Sequence, residues 1–146
     1  MGRGGTAIID TPSLRKHYSG KNVTLPPPAA GHVQLRIYTP HDGSRRPFQV
    51  FCAYFKSGGD HAFNSELLRA MDTADPSLDT FLCGDLNFIE DASDTTSAAP
   101  LLPPTYFTEQ WSTFKERYHL HDPPQSAHTY YHITMITRIS IWSCFA

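Results

Sequence analysis

Asp85 and Asn87 are the residues whose types and spacing most directly offer chemistry. They lie in the stretch Phe81-Leu-Cys-Gly-Asp85-Leu-Asn87-Phe-Ile-Glu90, where an apolar, sulfur-bearing run meets a glycine and then a polar pair. The aspartate supplies an anionic oxygen, and the asparagine a neutral amide that accepts or donates. With one residue between them, an extended segment turns both to the same side. Such a pair suits a hard cation, or a phosphate with its attacking water. The same residues also fit a plain turn in which both side chains bond nearby backbone groups. On the local pattern alone, both readings stand.

Other clusters point more weakly to a site. His119 and His121 alternate and would share one side of a strand as metal ligands, but no third ligand accompanies them, and surface or loop histidines fit better. His128 and His132 have helical metal spacing, yet their surroundings favour strand. Glu90, Asp91 and Asp94 lack the glycine and terminal glutamate of a calcium-binding loop, so a solvated turn is expected. Arg45 and Arg46 with Lys56 offer charge for phosphate contacts, although a few basic residues on a near-neutral chain are ordinary surface.

The elements that must carry Asp85 follow from hydropathy patterning. Residues 80–83 read as a buried strand that ends in a tight turn, and open α/β sheets gather their chemistry at the carboxyl ends of strands. Before it, His61 to Ala74 sets Phe63, Leu67, Leu68 and Met71 at helical spacing, with Pro76 beyond the end. Two alternating segments, Val33–Tyr38 and Phe48–Tyr54, flank a stretch rich in turn formers and predict a hairpin. Val33, Leu35 and Ile37 fall on one face, Gln34 and Arg36 on the other. Thr6–Asp10 reads as a short strand, residues 11–31 as a loop, and residues 90–104 as a second loop. A second helix is expected from Tyr106 to Tyr118, with Phe107, Trp111, Phe114 and Tyr118 on one side. His128–Thr134 favours strand. Strand, helix, strand implies a sheet covered on at least one face by helix.

Composition bounds the reading. The chain has 146 residues, 40% hydrophobic and 18% charged, which fits a single globular domain rather than a disordered one. A net charge of −2 gives no global field to attract nucleic acid. Cysteines 52, 83 and 144 show neither a disulfide framework nor a zinc spacing, so a reducing, intracellular setting is expected. No apolar run is long enough for a membrane span, and the N-terminus shows no signal peptide.

Leu82-Cys-Gly-Asp85-Leu-Asn87 resembles the GDxN motif of the endonuclease/exonuclease/phosphatase superfamily, which includes abasic-site endonucleases, LINE-type retrotransposon endonucleases and DNase I-like enzymes. Phe51-Cys-Ala-Tyr54-Phe-Lys-Ser-Gly is similar to the family strand that ends in an aromatic or histidine before a short loop. Trp111, Phe114, Leu120, Asp122 and His128-Thr-Tyr130 resemble the stretch before the family's closing strands. The likeness covers about residues 4–138 and leaves 139–146 as a non-family tail. It implies an α/β fold: a partial DNase I-like four-layer α/β sandwich, a mixed sheet with flanking helices, in one domain over 1–146. It implies Mg²⁺-dependent phosphodiester hydrolysis, with Mn²⁺ as a substitute and DNA or another phosphodiester as substrate. By resemblance Asp85 would activate the water and ligate the metal, and Asn87 would orient phosphate or water beside that metal. Tyr54 would lie near the leaving group, or simply pack as a strand-end aromatic. Thr129 and Tyr130 would be sheet residues or phosphate contacts.

The resemblance also has departures. The family's early Asn and its principal Glu ligand would precede Gly4. Ser140, in Thr137-Arg-Ile-Ser140-Ile, stands where the family reads Asp, and its closing Ser-Asp-His is missing. A frameshift or misjoined exon near residue 134 would account for the altered end. The expectation is therefore a partial domain lacking N- and C-terminal strands, with little or no activity alone. The alternative is a non-catalytic module that binds nucleic acid or protein, or a relic.

Overall fold

Alternating side chains from Val33 to Tyr38 and from Phe48 to Tyr54 give the antiparallel pair at the centre of the computed structural model, which describes residues 6–90 and 102–121. In chain order the elements are a short helix α1 (Pro12–Arg15), strands β1 (Tyr18–Val23), β2 (Val33–Pro40) and β3 (Phe48–Tyr54), helix α2 (His61–Met71), strand β4 (Asp79–Asp85) and helix α3 (Thr105–Arg117). The strands form one mixed sheet in the order β1-β2-β3-β4. β1 and β3 run antiparallel to β2, whereas β3 and β4 are parallel. A parallel pair needs a crossover connection, and α2 supplies it. The chain is thus α/β, as its strand, helix, strand order predicts.

The core lies between one sheet face and the two longer helices. Leu35, Phe51 and Leu82 from the sheet meet Leu67, Leu68 and Met71 of α2 and Phe107, Trp111 and Phe114 of α3. Each such side chain contributes about 1.5–3 kcal/mol through its removal from water. The Phe51 ring stands edge-on to Phe114 and to Tyr118, with centroids 6.1 and 6.0 Å apart. α2 starts at Asp60, whose carboxylate accepts the Phe63 N–H at 3.2 Å. It ends three residues short of the expected Ala74, because the Thr73 hydroxyl and N–H both turn back to the Ala70 carbonyl. α3 fits its predicted face and is tied to α2 by Gln110 Nε2 donating to the Ser65 carbonyl at 2.9 Å.

The opposite sheet face carries Tyr38, Phe48, Val50 and Phe81. The Phe48 ring meets Tyr38 at 4.7 Å and Phe81 at 5.5 Å between centroids. Tyr38 is fully buried there, so the expected split into one packed and one wetter face holds only in part.

Two expectations for the N-terminal region are overturned. Thr6–Asp10 forms no strand and joins no ladder. It is held by side chains: the Ile8 N–H donates to Gln34 Oε1 at 3.1 Å, and Asp10 takes the Arg36 guanidinium at 2.6 Å and the Tyr38 hydroxyl at 2.5 Å. Ile9, counted in the apolar run, is 84% exposed. Residues 11–31 are no plain loop, since they contain α1 and β1. β1 reads Tyr-Ser-Gly-Lys-Asn-Val, too polar to give an apolar alternation, and it forms because β2 offers it a free edge. The strand expected at 128–134 and most of the loop at 90–104 lie outside the described residues. Among the described residues, no helix is long and apolar enough to cross a membrane.

Candidate functional site

Parallel pairing of β3 and β4 brings their carboxyl ends to one edge of the fold, with Tyr54 directly opposite Asp85. The register persists beyond the strands, where the Phe55 N–H donates to the Asp85 carbonyl at 2.9 Å. Gly84 makes this approach possible. A Cβ there would sit 1.9 Å from the Ala53 carbonyl oxygen, and the residue has φ +133°, a region L side chains rarely adopt. Glycine before Asp85 is thus a requirement of the backbone.

Asp85 is exposed, and its Oδ1 accepts the Asn87 N–H at 3.1 Å. Asn87 has φ +50°, a left-handed conformation that asparagine tolerates better than most residues. Its amide turns back and donates from Nδ2 to the Phe55 carbonyl at 2.7 Å. Asp85 and Asn87 are therefore not the extended, same-side pair that their spacing suggests. The pair is joined instead by an Asx-type turn, and Asn87 latches the end of β4 to the end of β3. Asp85 Oδ2 and Asn87 Oδ1 take no part in these bonds. Tyr54, 36% exposed, also stands at this edge.

A supporting shell fixes the Tyr54 side. The Tyr54 N–H donates to the His32 carbonyl at 2.7 Å, His32 Nδ1 lies 3.1 Å from the Tyr54 carbonyl, and the two rings stack at 6.3 Å. Asn64, fully buried in α2, accepts the Lys56 N–H at 2.8 Å and donates to the Lys56 carbonyl at 3.0 Å. Lys56 covers the Phe63 ring at 4.2 Å and pairs with Asp60 at 3.2 Å. That contact, with the Phe63 N–H, holds the Asp60 carboxyl below its ordinary value. Sequence reasoning passed over Asn64 and His32. The signal for Asn64 was present: it falls three and four residues before Leu67 and Leu68, a polar side chain on the apolar stripe.

The Asp85 loop is anchored on its far side as well. Leu86 is buried, and the Phe88 ring meets Phe107 at 5.0 Å and Trp111 at 5.3 Å. Glu90 accepts the Trp111 indole N–H at 2.9 Å and pairs with Lys115. Its carboxylate is thereby tied to α3 while the residue stays exposed at a bend, as a solvated turn would have it; Asp91 and Asp94 lie outside the described residues.

The donor set around Asp85 is sparse. Among the described residues, no group of three His, Cys, Asp or Glu side chains is placed to hold a metal. Among the described residues, Asp85 Oδ2 and Asn87 Oδ1 are the oxygens this edge offers a cation, a set that leaves Mg²⁺ most of its waters. His119 and His121 flank the buried Leu120, and both face outward. His128, His132, Thr129 and Tyr130 lie outside the described residues. Arg45 and Arg46 are exposed in the β2–β3 turn, at the opposite end of β3 from Tyr54. Compared with known proteins, the chain matches no family model and no curated protein.

Proposed function

We propose that the edge formed by Tyr54, Asp85 and Asn87 is a phosphodiester-hydrolysing site of the endonuclease/exonuclease/phosphatase kind, on a partial DNase I-like sandwich and with weak turnover in this chain alone. The observation that carries the reading is the register pair Tyr54–Asp85 at the shared carboxyl end of two parallel strands. Asp85 Oδ2 is oriented by the bond that Oδ1 makes to Asn87, so it can take the proton of an attacking water. Tyr54 offers a phenol to the leaving oxygen. A divalent cation, Mg²⁺ or Mn²⁺, would be held by Asp85 and the Asn87 side-chain Oδ1 and would neutralise phosphate charge. One carboxylate is a thin donor set, which is why turnover is expected to be weak.

The test is nicking of plasmid DNA with Mg²⁺, with Mn²⁺ and with chelator. Slow, metal-dependent nicking should be lost in Asp85→Ala, while the melting temperature stays within a degree or two, since the side chain is exposed. Nicking that survives both chelator and Asp85→Ala would sink the proposal.

A second reading is a non-catalytic module that binds nucleic acid or protein. It is favoured by the backbone bonds that Asp85 and Asn87 both make, which a purely structural turn would also make. DNA affinity indifferent to Mg²⁺ and to Asp85→Ala would select it.

A further inference from the structure

Cys52 and Cys83 are register partners across the parallel β3–β4 ladder, so their side chains project from the same sheet face. That is the face turned away from α2 and α3, and both residues are half-buried on it. Paired strands lie about 4.8 Å apart, inside the roughly 4.4–6.8 Å Cα separation over which a disulfide can form. The Cys83 thiol donates to the Phe51 carbonyl at 3.3 Å. The same proton can turn instead to the Cys52 sulfur; that bond, with help from the Ala7 N–H and against the cost of burial, brings the Cys52 thiol down to about 7. A thiol lowered in this direction carries a substantial thiolate fraction at neutral pH, about half when its value matches the pH, and is close to the optimum for attack on a disulfide.

We infer that Cys52 and Cys83 form a redox-active dithiol, Cys52 attacking and Cys83 resolving, that closes to an interstrand disulfide on reaction with a small-molecule disulfide. In the first step the Cys52 thiolate attacks one sulfur of the oxidant RSSR; the mixed disulfide Cys52–S–S–R forms and RS⁻ leaves. In the second, Cys83 gives up its proton and its sulfur attacks the Cys52 sulfur, releasing the second RS⁻, which takes up a proton. The dithiol loses two electrons, and RSSR becomes two thiol equivalents. Parallel neighbours point their Cβ atoms alongside each other at about the strand spacing, wider than the roughly 3.5–4.5 Å a relaxed disulfide prefers. The bond must therefore draw β3 and β4 together, which makes it readily reduced and suited to reversible use. It also lies one residue below the Ala53–Gly84 contact that supports Tyr54 and Asp85. The inference does not rest on the phosphodiester reading.

The test exposes the full chain, native and in urea, to graded ratios of oxidised to reduced glutathione, followed by peptide mass mapping. The native chain should show a Cys52–Cys83 cross-linked peptide, with both thiols lost together and no glutathione retained. In urea the linkage should scatter among all three cysteines. Cys83→Ser should stop at a single glutathione adduct on Cys52, and Cys144→Ser should leave the cross-link intact. Phenylarsine oxide, which bridges closely spaced thiols, should bind one equivalent per native chain and none in Cys83→Ser. A stable glutathione adduct in the unmutated native chain, a preferred link to Cys144, or native thiols that stay reduced even in fully oxidised glutathione would each overturn the assignment.

Discussion

Gly84 and Asn87 show how much of a site is backbone geometry rather than functional groups. Gly84 is required twice over, by its φ and by the Ala53 carbonyl against it. Gly84→Ala is therefore expected to cost about 2–4 kcal/mol, combining overpacking with left-handed strain, read as a lower midpoint in urea unfolding. A wild-type midpoint would mean that β3 and β4 do not approach as described. Asp85 and Asn87 were legible as a polar pair at a strand end. Their mutual arrangement was not, because the period-two rule holds only while the chain stays extended, and Asn87 leaves the strand with φ +50°. Tyr54 was found by resemblance; its position across from Asp85 comes from a pairing register that no local pattern specifies.

At the scale of elements, the segments with strong periodicity were the ones the sequence made visible. The β2–β3 hairpin and α2 and α3 follow from apolar spacing, since each buries one defined face. β1 was hidden because an edge strand needs only one neighbour and its residues are mostly half-buried or exposed. The Thr6–Asp10 segment misled in the other direction. Its apolar composition suggested a strand, yet it is fastened by Asp10 through Arg36 and Tyr38, and Arg36 reaches on to Asn22 of β1 at 2.7 Å. The Tyr38 hydroxyl first, and the Arg36 guanidinium against the cost of burial, hold the Asp10 carboxyl below its ordinary value. A carboxyl depressed on folding stabilises above its unfolded value and loses that contribution as pH falls through its folded one. Asp10→Asn should accordingly cost about 1.5–3 kcal/mol near neutrality, and the gap to wild type should shrink on acidification below about pH 4, read by thermal melts across pH. A gap independent of pH would mean that the carboxylate charge is not what fastens the segment. Tyr38 works in the opposite sense. Burial, then Asp10, push its phenol up to about 12 from 10.0, so its contribution is present below pH 10 and fades as pH rises toward 12.

For the whole molecule, a net charge of −2 and the position of the exposed arginines limit how the proposed site can meet DNA. Arg45 and Arg46 lie a full strand length from Tyr54, about 20 Å for a strand of this size, so they cannot share a phosphate with Asp85. The double variant Arg45→Ala/Arg46→Ala should leave metal-dependent nicking within twofold of wild type. The logarithmic dependence of DNA affinity on salt should be shallow, with a slope no steeper than about −2 to −3. A steep slope, or loss of nicking in the double variant, would show that DNA crosses the far end of the sheet. The β3–α2–β4 crossover carries one more consequence. Tyr54 and Asp85 meet only after the intervening chain has closed a long loop, so the edge between them forms late in folding and is lost with the parallel pair. A ligand seated there clamps the two ends of that loop and should slow unfolding rather than speed folding, so its grip would be read most directly as a longer lifetime of the folded chain.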